Sequence, residues 1–172
     1  ASLGTWSHVS PVAGANENDV TQAGSDGTFT TSLVTNGSVS LTYNVWVAAS
    51  RTGSGGQDPQ LDVTIGGQLL ADNLGISSTA PGSWILLGST ASLDSGTHTV
   101  LFYCNVRQGN ACQIDGILLS TDNPPVWPNY LGDDWDTAPF NFYNSGGGCQ
   151  NVPDHTACGF CQKCTAGVGC EN

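Results

Sequence analysis

Positive charge is nearly absent from this chain. Its 172 residues include three basic side chains, Arg51, Arg107 and Lys163, against 14 acidic ones, for a formal net charge of −11. That balance leaves no means of neutralising phosphates, which excludes nucleic acids and anionic membranes as partners. It suits neutral ligands or divalent cations instead. No apolar run approaches the roughly 20 residues that cross a bilayer, so no membrane span is expected. Methionine is missing even at the first position, and no signal-like segment opens the chain, which reads as a processed, mature polypeptide. Catalytic motifs are missing too: there is no Gly-x-Ser-x-Gly elbow, no phosphate-cradling glycine loop and no His-Glu-x-x-His. His8, His98 and His155 stand far apart, and His98 within "GTHTV" reads as structural. The expectation is a protein that is not an enzyme.

What the chain does hold is 23 glycines among many Ser, Thr and Asn. That mixture forms helices poorly and short strands joined by turns well. In "SVSLTYNVWVAAS", residues 38–50, Val39, Leu41, Tyr43, Val45 and Val47 alternate with Ser40, Thr42, Asn44, Trp46 and Ala48. A strand with one buried and one polar face follows, with Trp46 on the polar side. Similar strands are expected in "QLDVTIGGQLL", "SWILLGS", "THTVLFYCNV" and "CQIDGILLS", separated by the turn signals "RTGSGGQDP", "STAPG", "LDSG" and "RQGN". No 3.6-residue period appears. The fold class expected is all-β: an antiparallel jelly-roll β-sandwich over residues 1–122, followed by an irregular, disulfide-rich C-terminal extension.

Three segments stand apart. The loop "AGANENDVTQAGSDG" clusters Asn16, Glu17, Asn18, Asp19 and Asp26, oxygen donors of the kind calcium takes, although a solvated loop is the simpler reading. Residues 123–148 change composition: Pro124, Pro125 and Pro128 precede an aromatic and acidic run containing Trp127, Tyr130, Trp135, Phe140, Phe142 and Tyr143. So much apolar surface is expected to pack on the sandwich or to meet a partner. Its carboxylates Asp133, Asp134 and Asp136 do not by themselves give the facing pair that glycosidase chemistry needs. The tail, residues 149–172, carries Cys149, Cys158, Cys161, Cys164 and Cys170. The overlapping triplet crowds a zinc site even with His155 nearby, and disulfide-stapled turns fit best. Seven cysteines, scarce lysine and the sequon "NGS" at Asn36 suggest a secreted glycoprotein, though "NG" is also a tight hairpin turn.

Cys104 and Cys112 flank "NVRQGNA", where neighbouring antiparallel strands bring cysteines within bridging distance, and Arg107 in that loop reads as a solvated charge. With that pair formed, five tail cysteines cannot all pair among themselves. An intermolecular disulfide and self-association are therefore partner expectations.

A pyranose presents an apolar face of C–H groups and a rim of hydroxyls, so its sites combine an exposed aromatic plate with amide or carboxylate partners. Trp46 on a polar strand face and Trp84 after a "PG" turn are the candidate plates. Asn44, Gln60, Asp62, Asn105 and Gln113 are candidate hydrogen-bonding groups.

The stretch "PGSWILLGSTASLDSGTHTVLFYC" followed by "CQIDGILLS" resembles the second half of carbohydrate-binding modules of families 6 and 35, over about residues 39–120. The resemblance implies a galactose-binding-like sandwich. It places Trp84 where the family's loop tryptophan walls a sugar cleft, and Asp115 where a last-strand aspartate is tied to a structural calcium. Gln113 stands where the family usually has asparagine. The function expected is a secreted, non-catalytic glycan-binding or adhesive module. The alternatives are a structural subunit of an extracellular fibre, wall or coat, and an accessory domain of a polysaccharide hydrolase or lyase.

Overall fold

Alternation over residues 38–50 becomes a continuous strand only from Asn44, because Leu41 first closes an isolated bridge with Leu93. A computed structural model describes residues 4–15, 20–35, 40–90, 92–120, 163–165 and 169–171. Within it run β1 (Trp6–Val9), β2 (Val20–Ala23), β3 (Gly27–Thr35), β4 (Asn44–Arg51), β5 (Gln60–Ile65) and β6 (Gln68–Gly75). They are followed by β7 (Trp84–Ser89), β8 (Gly96–Asn105), β9 (Cys112–Ser120), β10 (Lys163–Thr165) and β11 (Gly169–Glu171). All pairings are antiparallel. Among the described residues there is no helix, hence none long and apolar enough to cross a membrane.

Two sheets carry the sandwich: a five-stranded one in the order β1-β2-β9-β4-β7 and a four-stranded one in the order β3-β8-β5-β6. The all-β sandwich expected from the sequence is therefore the observed fold. Val45, Val47 and Ala49 of β4 meet Leu61, Val63 and Ile65 of β5, Val100 and Phe102 of β8, and Ile114, Ile117 and Leu119 of β9 in one buried layer. Phe29 and Phe102, partners in the β3–β8 ladder, stack with centroids 5.6 Å apart. Gly66 and Gly67, with φ of +56° and +81°, form the two-residue hairpin between β5 and β6 that left-handed backbone favours.

Cys104 and Cys112 are disulfide-bonded with Cα atoms 6.0 Å apart, but not for the reason the sequence suggested. β8 and β9 are not paired; they belong to different sheets, so the bond staples the two layers across the core. In the chain-entropy account a loop this short contributes on the order of 2–3 kcal/mol. The connection beside it is tied down further. Asn110 donates through Nδ2 to the carbonyls of Gly55 and Gln57, and Gln57 N donates to Gln108 Oε1. Gly53, at φ +70°, has to be glycine, because a Cβ there would lie 2.7 Å from Asn110 Oδ1. Arg107, expected as a solvated charge, is half-buried and donates to Gln60 Oε1.

His98 shares its ring Nε2 with Thr35 Oγ1 at 2.9 Å and the Asp94 carbonyl at 2.8 Å, a structural role at one end of the sandwich. In the tail, the β10–β11 ladder sets Cys164 directly opposite Cys170. Cys149, Cys158 and Cys161 lie outside the described residues. Opposed positions of an antiparallel pair fall within the Cα separation that a disulfide spans. Peptide mapping without reductant is expected to recover a Cys164–Cys170 link beside Cys104–Cys112; a Cys164 found joined to any other cysteine would contradict the register.

Candidate functional site

On β4 the core takes Val45, Val47 and Ala49, so Asn44, Trp46, Ala48 and Ser50 project from the opposite, outer face of the five-stranded sheet. The same logic on β7 sends Ile85 and Leu87 inward and Trp84 and Leu86 outward. Register then fixes the neighbourhood. Trp46 stands opposite Leu86 on one side and Leu118 on the other, while Trp84 stands opposite Ala48, itself opposite Gly116. Trp46 and Trp84 are thus diagonal neighbours across adjacent strands, about 7–8 Å apart in such a ladder. Leu86 sits between them at 43% exposure, and both tryptophans are half-buried. The sequence did not single out Leu86, although the alternation of "WILLGS" carries the signal.

The loop that delivers Trp84 is held from several sides. Ala49 N donates to the Ser83 carbonyl at 3.0 Å and Arg51 N to the Ser78 carbonyl at 2.8 Å, pinning residues 78–83 to β4. The Ser78 and Ser83 hydroxyls lie 2.9 Å apart, and Ala80 N donates to Ser78 Oγ at 3.2 Å. An aromatic plate on such a loop is oriented before any ligand arrives, which spares the ordering cost of binding.

The expected polar partners divide between the sheets. Asn44 lies on the outer face beside Trp46, and its Oδ1 accepts from Ser89 Oγ at 2.9 Å. Gln113 shares that face, but both ends of its amide are engaged: Oε1 accepts from Ser50 Oγ at 3.1 Å, and Nε2 donates to Gln22 Oε1 at 2.9 Å. Gln60, Asp62 and Asn105 belong to β5 and β8 in the other sheet and do not join the tryptophans. Asp62 Oδ1 there accepts from Asn73 N at 2.6 Å.

Of the expected calcium ligands, Asp115 is described and is 5% exposed. It occupies the extra position of a bulge in β9, since Ala48 faces Gly116 while Ala49 faces Ile114. A Cβ on Gly82 would lie 3.5 Å from Asp115 Oδ2 and 3.7 Å from the Gly14 carbonyl, so this carboxylate sits between the 80–83 loop and the β1–β2 connection. Glu17, Asp19 and the sequon at Asn36 lie outside the described residues. Asp26 instead accepts from Val106 N at 2.7 Å. Among the described residues, no three His, Cys, Asp or Glu side chains gather as a metal group.

Solved structures similar to this chain include a family 35 carbohydrate-binding module from Clostridium thermocellum, at 13% identity and TM-score 0.44, covering 64% of this chain and 85% of that one. A family two carbohydrate esterase from Clostridium thermocellum, in complex with cellohexaose, is similar at 16% identity and TM-score 0.35, over 57% of this chain and 26% of that one. A family 36 carbohydrate-binding module in complex with calcium and xylotriose is similar at 15% identity and TM-score 0.32, over 61% of this chain and 75% of that one. No protein-family model matches the chain, and no curated protein matches it at a significant level. At these identities and scores the likeness carries no argument about ligand, and the architecture rests on the strand pairing itself.

Gln113→Ala is expected to lower stability by about 1–3 kcal/mol in urea titration, because it strips partners from Ser50 and Gln22. Its effect on glycan affinity should be smaller than that of Trp84→Ala; the reverse order would make Gln113 a ligand contact.

Proposed function

We propose that this chain is a secreted, non-catalytic glycan-binding module whose platform is the outer-face strip Trp46, Leu86 and Trp84. The observation that carries the reading is the placing of two tryptophans as diagonal neighbours on one sheet face, flanking an exposed leucine, on strands set by the core. Such a strip offers C–H faces of a sugar a broad apolar surface, with Asn44 and Ser89 at its margin to meet hydroxyls. A net charge of −11 fits a neutral glycan better than an acidic one. Glycan-array binding followed by titration tests it. Trp84→Ala and Trp46→Ala are each expected to weaken binding at least about tenfold, or ~1.4 kcal/mol, with the folded state retained. Absence of any bound glycan, or binding indifferent to both substitutions, would overturn the platform.

The proposal includes a structural calcium held by Asp115 with oxygen donors from the connection that carries Glu17 and Asp19. The bulge at Asp115 and the nearby Gly14 carbonyl support it. Chelation with EDTA is expected to lower Tm and added calcium to restore it, with Asp115→Asn abolishing the response. A Tm unmoved by EDTA in the unsubstituted protein would remove calcium from the account.

A structural subunit is the rival reading, favoured by apolar side chains on both sheet margins: Leu86 on edge strand β7, and Leu69, 59% exposed, on edge strand β6. Concentration-dependent sedimentation without glycan binding would select it.

A further inference from the structure

Four strands border the two sheets, and three of them carry features that block further pairing. β1 is only four residues long. β6 has two register shifts against β5, the first of them at Asp72 and the left-handed Asn73, φ +54°. β7 shifts register against β4 near Gly88, whose φ is +137°. Short, bulged or charged edges of this kind keep sheets from joining. β3 has none of these features. Its nine residues pair with β8 from Gly27 opposite Cys104 to Thr35 opposite Gly96 without a shift. Its sequence, GTFTTSLVT, contains no proline, no charge and no glycine after the first position. Residues 4–6 cover its start: Trp6 Nε1 donates to the Gly27 carbonyl at 3.1 Å, and Gly4 backs so closely onto the Thr28 carbonyl that a Cβ would collide with it. From Thr30 to Thr35, no strand among the described residues pairs with the outer edge.

We propose that the edge from Thr30 to Thr35 is a dimer interface, taken by the same edge of a second copy of this chain running antiparallel about a two-fold axis near Ser32. Every second residue of an edge strand turns its N–H and C=O away from the sheet, and an antiparallel copy answers each donor with an acceptor. Charge selects the partner. Two chains of net charge −11 repel one another, so a contact between copies needs a surface free of carboxylates. Thr30 and Ser32, with Leu101 and Thr99 opposite them on β8, provide it. Pairing here joins two four-stranded sheets into one continuous sheet and uses up the open edge of both copies, so assembly closes at the dimer. The inference does not rest on the glycan reading. It is compatible with it, because β1 touches β3 and β6 touches β7, which puts β3 and the tryptophan strip on opposite flanks of the sandwich. A dimer through β3 therefore leaves both strips open and makes the module bivalent.

The test uses the full chain in analytical ultracentrifugation and amide hydrogen exchange, both across a range of protein concentrations. A monomer–dimer equilibrium is expected, strengthened by added salt, which screens the repulsion between copies. Ser32→Asp brings two carboxylates close together across the axis and is expected to raise the dimer dissociation constant at least about tenfold. Ser32→Ala, which adds no charge, is expected to leave the dimer nearly unchanged. The outward-facing amides of residues 30–35 should exchange faster on dilution. A monomer at every concentration, or a dimer indifferent to Ser32→Asp, would overturn the proposal. So would slow exchange of these amides at every concentration, since a part of the same chain would then occupy the edge.

Discussion

Strict alternation along the strands is the constraint on which the remaining structure depends. Once Val45, Val47 and Ala49 are committed to the layer shared with β5, β8 and β9, Trp46 has no choice but the outer face. Committing Ile85 and Leu87 does the same for Trp84 and Leu86. A slip of one residue would turn all of these over together, burying the tryptophans and exposing the valines. The candidate site is therefore a by-product of core formation, which is why removing a tryptophan need not disturb the core.

Irregularities in the ladders set the finer positions. The bulge in β9 opposite Ala48 and Ala49 releases Asp115 from simple alternation and turns it toward the loops at Gly82 and Gly14. The register shift between β4 and β7 near Val45 likewise aligns Asn44 with Ser89. At the same end as Trp84, the Cys104–Cys112 bond and the Asn110 clamp on residues 55 and 57 hold the sheet-crossing connection. Rigid delivery of Trp84 and rigid closure of the sandwich thus have a common source in short, heavily bonded connections.

Period-two patterning made the strands and their inner faces legible in the sequence, because an apolar residue at every second position of β4 or β5 has one physical solution. The disulfide pair was also legible, but its geometry was not: adjacent cysteines in sequence suggested a hairpin, whereas partner strands are chosen by contacts far along the chain. That same non-locality scattered Gln60, Asp62 and Asn105 onto the other sheet, away from the tryptophans. It also hid Leu86, whose exposure depends on β7 being an edge strand. Ala48 reads as solvent-facing by pattern and is buried, since alternation tells which face a residue takes and not how far its larger neighbours on that face shield it.

Strand β9 is the interior member of its sheet, laddered to β2 on one side and β4 on the other, and the aromatic and cysteine-rich residues follow directly from its end. A pull exerted along the β9 axis through those residues is taken up by that interior strand. Such a force loads the β4–β9 ladder, which runs from Asn44 opposite Ser120 to Arg51 opposite Cys112, in shear, and reaches the two β2 pairs at Gln113 and Ile114 only at the far end. The covalent link at Cys112 lies at the far end of the same strand and passes the load into the second sheet.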